Sequence, residues 1–192
     1  KFNNNKIFET IPTCVETKNF RPLYNRKISE YQDDKLVFCH LGAISTRYDL
    51  DKVFWFISEI NKYKKCELLI INQKEKKFIE DKIEVNGIDD DSIKILSLDF
   101  QQVPKYLEKI DFGIFFPKNG YYLKGFFPTK FAEFIAAAKP VVTYKINKDF
   151  NNLFNKYSTG IMLDRNQKVL SRINYNELIK FKHSEDFYNR SS

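Results

Sequence analysis

The stretch LVFCHLGAISTRYDL, residues 36–50, decides the fold. Its first six residues are apolar except for His40, and they read as a buried strand over 35–41 that stops at Gly42. Beyond the loop, Asp49 is a candidate N-cap. Apolar residues at 53, 54, 56, 57 and 60 then recur with the period of a helix over 50–63. A strand that runs through a short loop into an amphipathic helix is the building unit of α/β sheets.

The rest of the chain repeats that unit. Strands are expected at 67–71, 93–98, 111–116, 141–144 and 160–163. Helices are expected at 74–85, closed by Asn86-Gly87, and at 103–109, 128–138, 149–157 and 175–182. Pro104 and Pro128 sit near helix starts, where a missing N–H costs nothing. A short apolar run at 6–11 ends at Pro12. The alternation predicts an α/β fold, a Rossmann-like parallel sheet with helices on both faces. Its crossovers should be right-handed. Residues 1–34 are irregular and read as a linker from something upstream, leaving 35–192 as one domain. The chain starts at Lys1, so it is expected to be a piece of a longer protein.

Bulk composition narrows the function. With 192 residues and 43% hydrophobic content, the chain can bury a core. The formal charge is +7, but the lysines are interleaved with acids. The densest run, 74–82, reads either as a solvated helix face or as a membrane or polyanion patch. A nucleic-acid role would want a concentrated basic face. Three cysteines without metal spacing fit buried thiols in a reducing, cytoplasmic setting. His40 and His183 are far apart and form no ligand pair, so no metal site is expected. No apolar run reaches the ~20 residues that a membrane span needs.

Parallel sheets bind ligands beyond the carboxyl ends of their strands. The loops to examine are therefore 42–49, 98–103, 117–129 and 144–149. In the first, Gly42, Ala43, Ile44, Ser45 and Thr46 let backbone approach a ligand closely, and Arg47 adds a forked cation suited to phosphate. The plain alternative is an ordinary turn carrying a surface arginine.

In GFFPTKFAEFIAAAKPVV, residues 125–142, Pro128 should leave the amides of Thr129 to Phe131 free to face an anion, with Lys130 beside them. Glu133 follows within two turns and is able to accept two hydrogen bonds from a vicinal diol such as a ribose. That spacing suits a nucleoside diphosphate lying across a helix start. The alternative is a capped helix with surface charges. Ala136, Ala137 and Ala138 read as a close-packing face. The loop 119–125 reads as either a ligand cover or bare surface. No Ser–His–Asp or Cys–His constellation is suggested by spacing, and His40 reads as a structural histidine that abuts the Gly42 loop.

These segments resemble the C-terminal, donor-binding half of GT-B glycosyltransferases of the family 4 type, the glycosyl transferases group 1. TIPTCVETKNFRP (10–22), LVFCHLGAISTRYDL, VPKYLEKIDFGIFFP (103–117) and PTKFAEFIAAAKPVV (128–142) agree with that family in order. The resemblance implies that Glu133 holds the nucleotide ribose and that Arg47 and Lys130 act on the donor diphosphate. It puts Gly42, Pro128 and Thr129 beside that diphosphate. The family's first motif glutamate falls on Gly125, a basic residue falls on Ala43, and a glycine falls on Ala138, the last replacement expected to be harmless.

The implied activity is retaining, metal-independent transfer of a hexosyl group from a UDP- or GDP-sugar to a glycan or lipid-linked acceptor, with no cofactor. The implied partner is an N-terminal GT-B domain, without which this piece is expected to be inactive. Peripheral contact with the inner face of the membrane is a further expectation. Rival readings are a degenerate half that only scaffolds a partner, an epimerase of the same architecture, and a receiver-like signalling domain.

Overall fold

The computed structural model describes residues 13–20, 34–88 and 92–182. The apolar run at 6–11 lies outside them. The elements alternate as read: β1 (Leu36–Leu41), α1 (Leu50–Asn61), β2 (Cys66–Ile71), α2 (Lys76–Asn86), β3 (Ile93–Leu96), α3 (Val103–Leu107), β4 (Phe112–Ile114), α4 (Thr129–Ala136), β5 (Val141–Tyr144), α5 (Lys148–Lys156), β6 (Gly160–Leu163) and α6 (Arg172–Lys182). Short 3-10 turns occupy Thr17–Asn19, Phe100–Gln102 and Tyr121–Gly125.

The six strands form one parallel sheet in the order β3-β2-β1-β4-β5-β6. Chain order therefore reverses between β1 and β4, which defines a crevice at their carboxyl ends. Strand residues alternate between the faces. Leu36, Phe38, Leu68 and Ile70 pack with α1, α2 and α6 on one side. Cys39, Leu41, Leu69 and Ile71 pack with α3, α4 and α5 on the other. Phe38 stacks on Phe112 at 5.3 Å on the first side, while Phe131, Phe150 and Phe154 meet at 4.9–5.7 Å on the second. Burying one such ring contributes roughly 1.5–3 kcal/mol. Phe20, from the opening segment, is fully buried in the second cluster.

Local signals explain the boundaries. Asp49 caps α1 by accepting from the Lys52 amide at 3.3 Å, and Asn147 caps α5 by accepting from Phe150 at 2.9 Å. Each such cap stabilises its helix by about 1 kcal/mol. α6 starts three residues earlier than expected because Ser171 and Asn174 bond reciprocally across its first turn. β4 is shorter than the expected 111–116. Asp111 instead accepts from the Val37 amide at 2.8 Å and sits 3.5 Å from the buried Lys182 ammonium, at the amino end of the sheet. At the other end, the chain leaves the sheet after Phe115, and Phe116 O accepts from Asp49 N.

Close approach of α4 to the sheet is set by Gly113. A Cβ there would lie 2.3 Å from the Phe134 ring. Small residues were expected to allow this approach on the helix itself, at 136–138, and those alanines are indeed buried. The alanine at 138 is not strain-free, however. It adopts φ 53, in the left-handed region that favours glycine.

Candidate functional site

The loops after β1, β2, β3 and β4 and the start of α4 enclose an open cleft of about 1460 Å³ at the carboxyl ends of the strands. Gly42, Arg47, Gly125, Pro128, Thr129, Lys130 and Glu133 all line it. The residues singled out on two distant segments thus converge on one hollow.

The lining of the cleft has an apolar part and a polar part. The apolar part is Leu98 and Phe100, between β3 and α3, with Val103 at the start of α3. Phe100 is 56% exposed there and is backed edge-on by Phe20 at 6.5 Å. The polar part includes Thr46 and Arg47, on the loop after β1. Arg47 is exposed, and its guanidinium bonds to no described residue. Its backbone, in contrast, is pinned: the Arg47 carbonyl accepts from Lys118 N at 2.8 Å and from the Tyr122 hydroxyl at 3.0 Å. Lys118 Nζ also donates to Ser45 O at 2.6 Å. The loop after β4 therefore grips the loop after β1.

Pro128 is the N-cap of α4 and not, as its position suggested, part of the first turn. Phe131 N donates back to Pro128 O at 3.1 Å. That leaves the amides of Thr129 and Lys130, both of which line the cleft, without an acceptor in the helix. Glu133 is half-buried, and its carboxylate accepts no hydrogen bond from a described residue. Burial raises its pKa, and the nearby Lys130 charge opposes the rise.

Lys130 does not extend toward the cleft mouth as expected. It folds down to the floor, where Nζ lies 3.2 Å from His40 Nε2, 3.4 Å from Ala43 O and 3.5 Å from the centre of the Tyr48 ring. His40 Nδ1 is 3.1 Å from Ile114 O. The network assigns the proton to Nδ1, which donates to that carbonyl, and the Nε2 lone pair to the ammonium. Burial, reinforced by the Lys130 charge, pushes the His40 pKa well down. Burial also lowers the Lys130 pKa to about 7, against the pull of Glu133. Packing an ammonium against an aromatic face recovers part of the lost solvation.

Three participants were not legible in the sequence. Glu75 accepts from the amides of Ile44 at 2.8 Å and Ser45 at 3.0 Å, from the Ser45 hydroxyl, and from Asn72 Nδ2 at 2.7 Å. The Gly42 loop, read as one whose backbone could approach a ligand closely, has two consecutive amides directed at the internal carboxylate of Glu75. Asn72 links the same parts by donating to Gly42 O at 3.1 Å. Asn147 donates to Leu123 O and Phe126 O, each at 2.9 Å, and so fixes the turn that carries Gly125. The Asn72-x-x-Glu75 spacing is that of a helix-capping pair. Nothing in it says that the carboxylate turns toward another loop. Among the described residues no group of three or more His, Cys, Asp or Glu gathers to hold a metal, and no helix is long and apolar enough to cross a membrane.

The family model for glycosyl transferases group 1 matches residues 24–190. The chain belongs to this family. Glycosyltransferases of known structure share the fold of this group 1 chain. They include an alpha-glucosyltransferase in complex with UDP-glucose and DNA containing an abasic site (16% identity, TM-score 0.65, covering 98% of this chain and 54% of that one). WaaG, a glycosyltransferase involved in lipopolysaccharide biosynthesis, aligns at 16% identity and TM-score 0.59, covering 96% and 50%. A glycosyltransferase from Rickettsia africae aligns at 13% and 0.63, covering 93% and 48%. The group 1 chain thus spans about half the length of each. No curated protein sequence is a significant match. The sheet is the Rossmann-like half of a GT-B fold.

Proposed function

We propose that this chain is the donor-binding half of a retaining, metal-independent glycosyltransferase of the family 4 type, and that its cleft holds the nucleoside diphosphate of a UDP- or GDP-hexose. One observation carries the reading: Glu133, Arg47 and the first turn of α4 meet on a single cleft at the point where strand order reverses. The base would lie at the apolar part, against Phe100. The Glu133 carboxylate, which accepts no hydrogen bond from a described residue, would take the ribose diol. The diphosphate would lie between Arg47 and the Thr129 and Lys130 amides.

Chemically, these groups act on the leaving group. As the bond from the anomeric carbon to the diphosphate breaks, its electron pair moves to a phosphate oxygen. Arg47, the helix amides and, from below, the Lys130 ammonium stabilise that charge in place. Pre-set donors of this kind supply what a divalent cation supplies elsewhere. The acceptor, a glycan or lipid-linked sugar, would come from a second, N-terminal domain, so this piece alone turns nothing over. Residues 1–34 would be the crossing from that domain and 35–192 the domain described, working at the cytoplasmic face of a membrane.

A thermal-shift series with UDP, GDP and ADP tests the reading. One nucleoside diphosphate should stabilise the wild type and fail to stabilise Glu133→Ala. Equal shifts in both proteins would remove Glu133 from the site. No shift with any of the three would favour a half that only scaffolds a partner.

A further inference from the structure

The Gly42–Arg47 loop carries its phosphate-binding arginine on a frame that no glycine fingerprint supports. Only Gly42 supplies backbone freedom there, at φ 82. Two clamps hold the loop from opposite sides. On one, Lys118 and Tyr122 hold the Arg47 carbonyl. On the other, Glu75 takes the consecutive amides of Ile44 and Ser45 together with the Ser45 hydroxyl. Glu75 is in turn held by Asn72, which also receives the Lys74 and Glu75 amides at 2.9 and 2.7 Å.

We infer that Glu75 is a positioning residue for donor binding: its carboxylate fills the amide cradle after β1, and so fixes the loop in the shape that presents the Arg47 guanidinium to the diphosphate. The inference rests on the donor reading above and deepens it. With the cradle filled, the diphosphate takes no hydrogen bond from the Ile44 or Ser45 amides. Its backbone donors are those at the start of α4, and its side-chain cations are Arg47 and, from the floor of the cleft, Lys130. A fixed negative charge beside a diphosphate site would ordinarily weaken binding. Here the charge is already engaged by four hydrogen-bond donors, which also hold the Glu75 carboxyl down at a pKa of about 2 against the effect of burial. The alternative role, an internal competitor for the phosphate, makes the opposite prediction about affinity.

The test is a double-mutant cycle on the 192-residue chain, read by calorimetry. Of UDP, GDP and ADP, the one that binds wild type most tightly is used, with its parent nucleoside as a control. Glu75→Gln should weaken the diphosphate about tenfold while leaving nucleoside affinity within about twofold. In an Arg47→Ala background, Glu75→Gln should have no further effect, because coupled residues are non-additive. A merely structural role would weaken both ligands and add to Arg47→Ala. Unchanged or tighter diphosphate binding by Glu75→Gln overturns the inference, as does additivity. If Glu75→Gln does not fold, Ser45→Ala, which removes one of the four donors, is put through the same cycle and the same outcomes decide. If wild type binds none of the three diphosphates, the donor reading fails first and this inference with it.

Discussion

Lys130 Nζ rests 3.2 Å from His40 Nε2, under the Tyr48 ring, at the floor of the cleft. A lysine from helix α4 and a histidine from strand β1 thus share one proton-bearing contact in a fully buried place. The ammonium is poised to lose its charge near neutrality, and on the donor reading proposed above a neutral Lys130 would give less help to a departing diphosphate.

The first prediction follows from that burial. The Lys130 pKa falls from 10.5 in the unfolded chain to about 7 in the folded one. Between those values the unfolded state binds the extra proton, so stability contributed at this site rises with pH from about 7 to 10.5. Relative to Lys130→Met, the wild type should gain up to ~1.4 kcal/mol for each pH unit across the window. Denaturant unfolding at pH 7, 8 and 9 measures it. Parallel curves for the two proteins would show that Lys130 does not titrate there.

Glu75 gives the opposite dependence. Its carboxyl is held at about 2, below the usual 4.5. Its contribution to stability is present in full above pH 4.5 and is lost as pH falls toward 2. The stability difference between wild type and Glu75→Gln should therefore shrink on acidification through that range and stay constant between pH 5 and 7. A difference that does not change down to pH 2.5 would mean the carboxylate is not engaged in solution.

Two helices end in the same left-handed turn, with residues other than glycine in the strained place. Ala138 follows α4 at φ 53, and Ser158 follows α5 at φ 48. In each, the amide two residues past the cap returns to a helix carbonyl, Lys139 N to Phe134 O at 2.8 Å and Thr159 N to Phe154 O at 3.2 Å. A non-glycine residue in this region costs roughly 1–2 kcal/mol. Ser158 is exposed, so Ser158→Gly should stabilise by about 1 kcal/mol. Ala138 is 1% exposed. Its buried methyl is worth about 0.8 kcal/mol, so Ala138→Gly should be close to neutral. Thermal unfolding of the two variants should separate them, and a loss of stability in Ser158→Gly would contradict the account.

Much of the architecture was readable because its signals are local. The apolar run LVFCHL, the 3.6-residue period after Asp49, prolines at helix starts and Gly87 at a helix end each act within a few residues. The same locality explains the misplaced ends. β4 stops at Ile114, although 111–116 is apolar throughout after Asp111, because the neighbouring strands and the Asp49 amide decide where pairing ceases. Pro128 lies one residue outside its helix because a cap and a first turn accept proline almost equally.

The amino-acid sequence determined by itself that this is a parallel α/β sheet, and it marked Arg47, Lys130 and Glu133 as the charges to watch. Only the tertiary structure decided what each charge faces. Arg47 lines an open cleft, Lys130 turns down onto His40, and Glu75, unremarkable in a charged helix start, closes the loop that bears Arg47. A side chain's surroundings depend on segments 30 to 90 residues away in the chain, as the Glu75–Ile44 and Lys130–His40 contacts are. Backbone periodicity carries no record of those distances. They are fixed when burial brings the strand ends together and most buried polar groups at the seam find a partner.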